Sequence, residues 1–349
     1  MIRVGVIGIG FIGWIHWLAY QRMGGACVAA ISESNPQRLA GDWRGIQGNF
    51  GPPGEQVDLA GIATYANFEE LLRDPQVDLV DIALPTALHA DVAIKALEAG
   101  KHVLCEKPMA LKLADCERMV DAARKADRLF MVGHVLPFFT EYDWALKTIR
   151  SGEYGRVRGG AFRRIISDPK WVRNFWSPDV IGGPMLDLHI HDAHFIRLVF
   201  GMPREIVSCG RLRDGLPEFW HTQFRFADPE IAVAATSGTI DQQGRPFTHS
   251  FEIHLEKATL MFDFAVIGGE GRYLCEPTLL DSDGNVQKPP LPGGDPIDAF
   301  ANELSEVAHC VSIGRPSETL GATLAQDAMR LCEAQTESLR SGKAVAIGM

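Results

Sequence analysis

An apolar run from Ile2 to Gly8 passes directly into Gly8-Ile9-Gly10-Phe11-Ile12-Gly13. No other feature of this chain constrains its fold as much. A run that is apolar at nearly every position suits a strand buried on both faces, as in a parallel sheet covered by helices. In a G-x-G-x-x-G between strand and helix, the first glycine permits the tight turn. The second lets backbone approach a pyrophosphate, and the third lets the helix pack closely on the strand. The phosphates then face the positive helix N-terminus. Gly8, Gly10, Phe11, Ile12 and Gly13 are therefore the expected dinucleotide cradle. The next run, CVAAISE, ends at Glu33, twenty residues past the last glycine. A carboxylate there can accept hydrogen bonds from the adenosine ribose and would repel a 2′-phosphate, which points to NAD over NADP.

Three more apolar runs follow, LVDIAL at 79–84, HVLCE at 102–106 and LFMVGH at 129–134. Helical patterns separate them: one capped at Asn67, one over about 87–99 ending at Gly100, and one over about 113–126. This alternation predicts a doubly wound α/β domain over residues 1–133, with the Gly- and Pro-rich segment 46–60 as an irregular surface excursion. Residues 134–349 read differently. Helices are expected over about 139–150 and 183–200, several strands in direct succession between 204 and 276, and closing helices over about 296–313 and 319–340. That is an α+β domain with a large open antiparallel sheet. A length of 349 residues suits two domains.

Ligands of a doubly wound sheet bind at the carboxyl ends of its strands. Leu84-Pro85 and then His89 follow one strand end, and Glu106-Lys107 follows the next, so these five join the expected cofactor site. Lys107 is placed to stand beside the nicotinamide. In the second part, GGPMLDLHIHDAHF at 182–195 sets Asp187 and His191 four apart, on one face of a helix. A carboxylate beside an imidazole holds it in one tautomer and suits it to accept a proton near neutral pH. His189 points elsewhere. The three histidines and two aspartates match no metal-ligand spacing, so no metal is expected. His134, Trp171, Asn174 and Trp176 are candidate substrate contacts, since indoles stack on sugar faces and amides bond hydroxyls. The arginines at 156, 158, 163 and 164 read as a solvated strand face or, alternatively, as a site for an anionic group.

VGVIGIGFIG at 4–13, ALPTALHADVAIKALEAGKHVLCEKP at 83–108, GGPMLDLHIHDAHF and the ending SGKAV together resemble the Gfo/Idh/MocA oxidoreductases over nearly the whole chain. The resemblance implies a Rossmann domain followed by an open antiparallel sheet whose outer face makes dimers or tetramers. It implies that Lys107 contacts substrate and the nicotinamide ribose. It also implies that Asp187 and His191 are the active-site pair, with His191 as proton acceptor. One departure concerns the substrate: many members carry Arg-Phe after the sixth strand, where this chain has Leu136-Pro137-Phe138-Phe139.

A net charge of −10 provides no electrostatic footprint for nucleic acid or an anionic membrane. Seven cysteines with no C-x-x-C pair suit a reducing compartment. No signal peptide is recognisable, and no run approaches the roughly 20 apolar residues of a membrane span. The expectation is a cytoplasmic, homo-oligomeric dehydrogenase that moves a hydride between NAD and a hydroxyl-bearing carbon of a sugar, polyol or inositol. Two alternatives are a redox-neutral NAD-dependent enzyme cleaving glycosides through transient oxidation, and a non-catalytic NAD(H)-sensing protein.

Overall fold

In the computed structural model, which describes residues 1–348, the wholly apolar runs become the centre of a parallel sheet. The elements are β1 (Ile2–Ile7), α1 (Phe11–Arg22), β2 (Ala26–Ser32), α2 (Pro36–Leu39), β3 (Ala63–Tyr65), α3 (Phe68–Leu72), β4 (Leu79–Ile82), α4 (His89–Glu98), β5 (His102–Glu106), α5 (Leu113–Ala126) and β6 (Phe130–Gly133). The sheet runs β3-β2-β1-β4-β5-β6 with every pairing parallel. The strand order therefore reverses between β1 and β4, where a ligand crevice forms in such sheets. β3 escaped the sequence because three residues at an edge show no period. The segment 46–60 is irregular, but it is not simply a surface excursion. Ile46 and Val57 are buried with Trp43 in the core around α1, and Trp14 Nε1–H donates to the Pro52 carbonyl at 2.9 Å.

The third glycine of the turn is required by close packing. A Cβ at Gly13 would stand 2.1 Å from the Gly8 carbonyl oxygen, a backbone atom that cannot move aside. Gly13→Ala is expected to lower stability by about 1–3 kcal/mol, seen as a fall in Tm together with weaker dinucleotide binding. An unchanged melt would mean that α1 yields freely.

The chain divides into two units. One holds Met1–Phe139 with Gly294–Gln326, and the other holds Thr140–Gly293 with the chain from Asp327 on. A single cut at 133/134 therefore misplaces a segment. The second unit carries α6 (Thr140–Ser151), β7 (Val157–Ser167), α7 (Ile190–Phe200), β8 (Glu205–Arg213), β9 (Leu216–Arg225), β10 (Ala232–Ile240), β11 (Phe247–Leu255), β12 (Ala258–Ile267), β13 (Glu270–Asp281) and β14 (Val286–Gln287). α8 (Pro296–Ile313) then returns to the first unit and packs on α1. Its residues Ile297, Phe300, Ala301, Leu304, Val307 and Ala308 are buried, the spacing of one apolar helix face. α9 (Ala322–Ser341) and β15 (Val345–Ala346) end the chain.

The nine strands of the second unit run β14-β13-β12-β11-β7-β10-β9-β8-β15. The sheet is mixed, not purely antiparallel, because β10 pairs parallel with β7 along nine residues from Ala232↔Gly159 to Ile240↔Ser167. Parallel neighbours need a long crossover, and here it contains α7 and the β8–β9 hairpin. The arginines of β7 and its approach do not form an open anion site: Arg156, Arg158 and Arg163 keep solvent-facing surface but are paired, and Arg164 alone turns inward. Arg156 and Arg158 pair with Glu256, Arg158 also with Glu230, and Arg163 with Asp263. Arg164 is buried and bidentate to Asp192, at 2.7 and 3.0 Å.

All seven cysteines are free thiols. Among the described residues, no helix is long and apolar enough to cross a membrane.

Candidate active site

The glycine turn leaves room on the side where a phosphate would come. Gly8 has φ +94°, the left-handed region that favours glycine, and a Cβ there would meet the Ala83 carbonyl at 2.8 Å. A Cβ at Gly10 would meet nothing within 4 Å. α1 starts at Phe11 with no acidic residue in its first turn and no side-chain cap, so its positive end is left uncompensated. The donor-rich, uncapped turn with open space at Gly10 fits a dinucleotide pyrophosphate. Phe11, at the first position of the helix, packs edge-on against Phe50 at 4.9 Å, and Ile12 is half-buried.

Glu33 follows β2 directly, and its carboxylate reaches the same turn. Oε2 accepts the Ile9 N–H at 2.9 Å and Oε1 accepts the Asn35 N–H at 2.8 Å. Arg38, which the sequence did not single out, donates to the Ile9 carbonyl at 3.2 Å. Glu33 is thus held at the cradle by backbone, where a ribose diol would meet it.

The β4 and β5 ends lie side by side, since those strands pair. His89 opens α4, buried, with Nδ1 3.0 Å from the Pro108 carbonyl and Nε2 2.7 Å from the Leu84 carbonyl. Burial lowers its pKa, opposed by those two contacts. His89 therefore ties together the loop of Leu84-Pro85 and the loop of Lys107-Pro108, and its ring nitrogens are engaged on backbone. Lys107 is half-buried just past β5, and the Lys107–Pro108 peptide is cis. Glu106 points its carboxylate back into the unit: Oε2 accepts the Lys107 N–H and Oε1 lies 3.1 Å from His16 Nε2. His134 is buried immediately past β6.

In the second unit, the segment with the three histidines is not one uniform helix. Met185–His189 forms a π-helical turn that runs into α7. Such turns close their hydrogen bonds five residues on and recur at functional sites. Asp187 falls inside the turn and His191 just beyond it. Both are half-buried, whereas His189 and His194 are wholly buried. His189 Nδ1 contacts Ser237 Oγ at 2.7 Å, and burial pushes its pKa down to about 4. Of the three histidines only His191 keeps a solvent-facing surface, with Asp187 four residues before it. Asp192 is committed to Arg164. Among the described residues, the one group of side chains at mutual metal-ligand distance is His16, Glu106 and Glu303 in the first unit, not the segment 187–194.

Asn174 and Trp176 line a hollow of about 470 Å³ in the second unit, with Asp168, Lys170, Phe175 and Arg213. The Trp176 indole is held there. Its Nε1–H donates to Asp168 Oδ1 at 3.1 Å, the Arg213 guanidinium lies 4.5 Å from its ring centre, and Arg213 also bonds Asp168 Oδ2 at 2.9 Å. One indole face is thus occupied by an arginine. Asp168 and Arg213 lie 45 residues apart, and no local pattern connects them. Trp171 lies outside the hollow lining and is 74% exposed.

Residues 2–134 match the oxidoreductase family with an NAD-binding Rossmann fold, and residues 142–261 match the GFO/IDH/MocA C-terminal domain. The myo-inositol 2-dehydrogenase of Thermotoga maritima is 31% identical over 206 residues, covering 57% of this chain and 55% of that protein. The 2,7-anhydro-N-acetylneuraminate hydratase of Escherichia coli is 29% identical over 267 residues, covering 69% of this chain and 67% of that one. The chain spans about half the length of the first curated relatives it matches. A solved levoglucosan dehydrogenase with NADH and levoglucosan superposes over 100% of both chains with a TM-score of 0.80 at 21% identity, a likeness of fold.

Proposed function

Because the chain belongs to the Gfo/Idh/MocA oxidoreductase family, we propose that it is an NAD-dependent dehydrogenase acting on a hydroxyl-bearing carbon of a sugar, polyol or inositol. The observation that carries this reading is the turn from Gly8 to Gly13, with its open side at Gly10, its uncapped helix end and the Glu33 carboxylate beside it. Gly8, Gly10, Phe11, Ile12 and Gly13 hold the pyrophosphate, Glu33 the adenosine ribose, and Leu84, Pro85, Glu106 and Lys107 the nicotinamide side. Bound NAD supplies the hydride acceptor. In the oxidative direction, His191 takes the substrate hydroxyl proton and Asp187 orients its imidazole. The Lys107 ammonium stabilises negative charge growing on that oxygen. The hollow around Asn174 and Trp176 is polar enough to bind a polyhydroxylated compound.

The test is nicotinamide absorbance over time with NAD⁺ or NADP⁺ and a panel of inositols, aldoses, sugar acids and polyols. NADH formed with one compound class supports the reading, and silence across the panel despite NAD binding removes it. A second reading is favoured by the relative named a hydratase, since adding water involves no net oxidation. In that case glycosides or anhydrosugars are converted with no NADH accumulating. Seven free thiols suit a cytoplasmic setting. A homodimer or homotetramer joined through the outer face of the nine-stranded sheet is part of the same proposal, and a monomeric mass in solution removes that part.

The coenzyme preference is tested at one side chain. Glu33→Ser removes a charge-assisted hydrogen bond to the ribose, worth about 1.5–3 kcal/mol, and the repulsion of a 2′-phosphate. The ratio of kcat/KM for NAD⁺ to that for NADP⁺ is expected to fall by roughly 10- to 100-fold. An unchanged ratio would move the ribose contact elsewhere.

A further inference from the structure

The carboxylate behind Lys107 belongs to a sealed polar group in the first unit. Besides His16 and the Lys107 N–H, Glu106 Oε1 faces Gly133, where a Cβ would stand only 2.6 Å away. His16, on α1, turns its other nitrogen to Asp81 Oδ2 on β4 at 2.9 Å. The Tyr20 hydroxyl donates to the same oxygen at 3.0 Å. Glu303, on α8, is wholly buried, and its carboxylate lies within 4.8 Å of the His16 nitrogen and the Glu106 oxygen. Neither Glu303 oxygen has a hydrogen-bond partner.

Three carboxyls and one imidazole share this buried volume, so full ionisation would leave surplus negative charge away from bulk solvent. An uncompensated buried charge costs several kcal/mol, and such a group neutralises instead. Asp81 Oδ2 and both Glu106 oxygens have donors aimed at them, while neither Glu303 oxygen has one, which makes Glu303 the carboxyl that gains most from carrying the proton. Burial pushes the Glu303 carboxyl well up, with Glu106 adding to the rise and His16 opposing it. Burial acts to lower the His16 pKa, but Asp81 and Glu106 outweigh it and raise it well above its ordinary value. His16, Glu106 and Glu303 are also metal-ligand types. However, both His16 nitrogens already bond carboxylates, and a cation would have to displace the 3.1 Å contact to Glu106.

We propose that Glu303 is a positioning residue for Lys107: as a buried neighbour within 4.8 Å of the Glu106 oxygen, it leaves that carboxylate held by His16 at the place from which it accepts the Lys107 N–H. This rests on the reading of Lys107 as the residue that meets the reacting oxygen. A neutral Glu303 leaves Glu106 anchored to its two donors and offers it a polar neighbour. An ionised Glu303 repels Glu106 and loosens the end of β5. The titratable groups facing the Glu303 carboxyl are His16 and Tyr20 of α1, Asp81 of β4 and Glu106 of β5.

The experiment compares wild type, Glu303→Gln, Glu303→Leu and Lys107→Met as full chains. It follows kcat, KM and Tm from pH 6 upward on the substrate the panel identifies. Glu303→Leu removes the polar neighbour and is expected to lower kcat by roughly 10- to 100-fold through misplacement, with KM for NAD⁺ little changed. Glu303→Gln, neutral and similar in shape, recovers most of that loss. It also keeps its kcat at alkaline pH, where wild type declines. A carboxyl raised above its ordinary value of 4.5 contributes its stability below that pH and loses it as pH rises toward the folded value. The Tm of wild type is therefore expected to fall relative to Glu303→Gln with increasing pH.

Full kcat and an unaltered pH profile in Glu303→Leu overturn the proposal. If that variant does not fold, an alkaline limb identical in Glu303→Gln and wild type overturns it. Stoichiometric metal in the purified protein that is lost in Glu303→Gln also overturns it, in favour of a cation site. Normal turnover in Lys107→Met sinks the role of Lys107 itself. An inactive Lys107→Met beside a fully active Glu303→Leu sinks only the positioning.

Discussion

Replacing His191 with alanine is expected to lower kcat by roughly 10²–10⁴-fold while leaving the melt nearly unchanged. The effect on rate is large because an alcohol gives up its hydride readily only as its proton leaves, and His191 is the group proposed to take that proton. The effect on stability is small because His191 is half-buried beside a π-helical turn, whereas His189 and His194 are wholly buried. A partly exposed side chain outside the core contributes within about 0.5 kcal/mol. Asp187→Asn keeps the shape and removes the charge, so it should lower kcat with little change in the KM for NAD⁺. Lys107→Ala should cost about 3–4 kcal/mol of transition-state stabilisation, the usual scale for one charge-stabilising donor. The measurement is initial-rate nicotinamide absorbance at saturating substrate, alongside a thermal melt. Normal turnover in His191→Ala would remove it as the base, and a collapsed melt would make it a structural residue.

The largest stability effect is expected at the neighbouring residue. Asp192→Ala leaves the Arg164 guanidinium buried without the carboxylate that now takes two of its N–H groups at 2.7 and 3.0 Å. Breaking a buried pair from one side costs about 3–5 kcal/mol, out of the roughly 5–15 kcal/mol that holds a typical domain. Denaturant melts should show the loss plainly. The same principle fixes the control: replacing both partners, Arg164→Met with Asp192→Leu, should recover most of the stability, because no charge is then left stranded. If Asp192→Ala melts like wild type, the pair holds nothing. A double variant no better than the single would mean that shape matters there more than charge.

These two expectations differ in how far the sequence alone could have produced them. His191 stands out by its spacing from Asp187 and by the motif around it. Arg164 does not, because nothing in four nearby arginines tells which one turns inward from the strand. The parallel sheet was legible because β1, β2, β4, β5 and β6 are apolar at almost every position, a pattern few other settings allow. α8 was legible to the residue, since Pro296 follows the capping Asp295 and Gly314 ends the apolar period. The edge strand β3 was too short to leave a pattern, and the parallel pairing of β10 with β7 is set by topology. Ile46 and Val57 are core residues hidden in a stretch whose glycines and prolines suggested only a loop. Glu303 was the least legible of all. It is an ordinary glutamate in an amphipathic helix, and only the fold brings it to His16, Asp81 and Glu106 from far along the chain.

The return of α8 to the first unit has a consequence for how this protein is made. The apolar face of α1 is covered by residues that leave the ribosome only after the whole of Thr140–Gly293. At about 5–20 residues per second, the nascent first sheet waits on the order of ten seconds or more with His16 of α1, which Phe300 of α8 now packs against, not yet covered by that helix. The order of synthesis and the order of completion are thus reversed: the unit begun first is finished late. During that interval the chain offers chaperones and proteases a surface that the finished protein never shows.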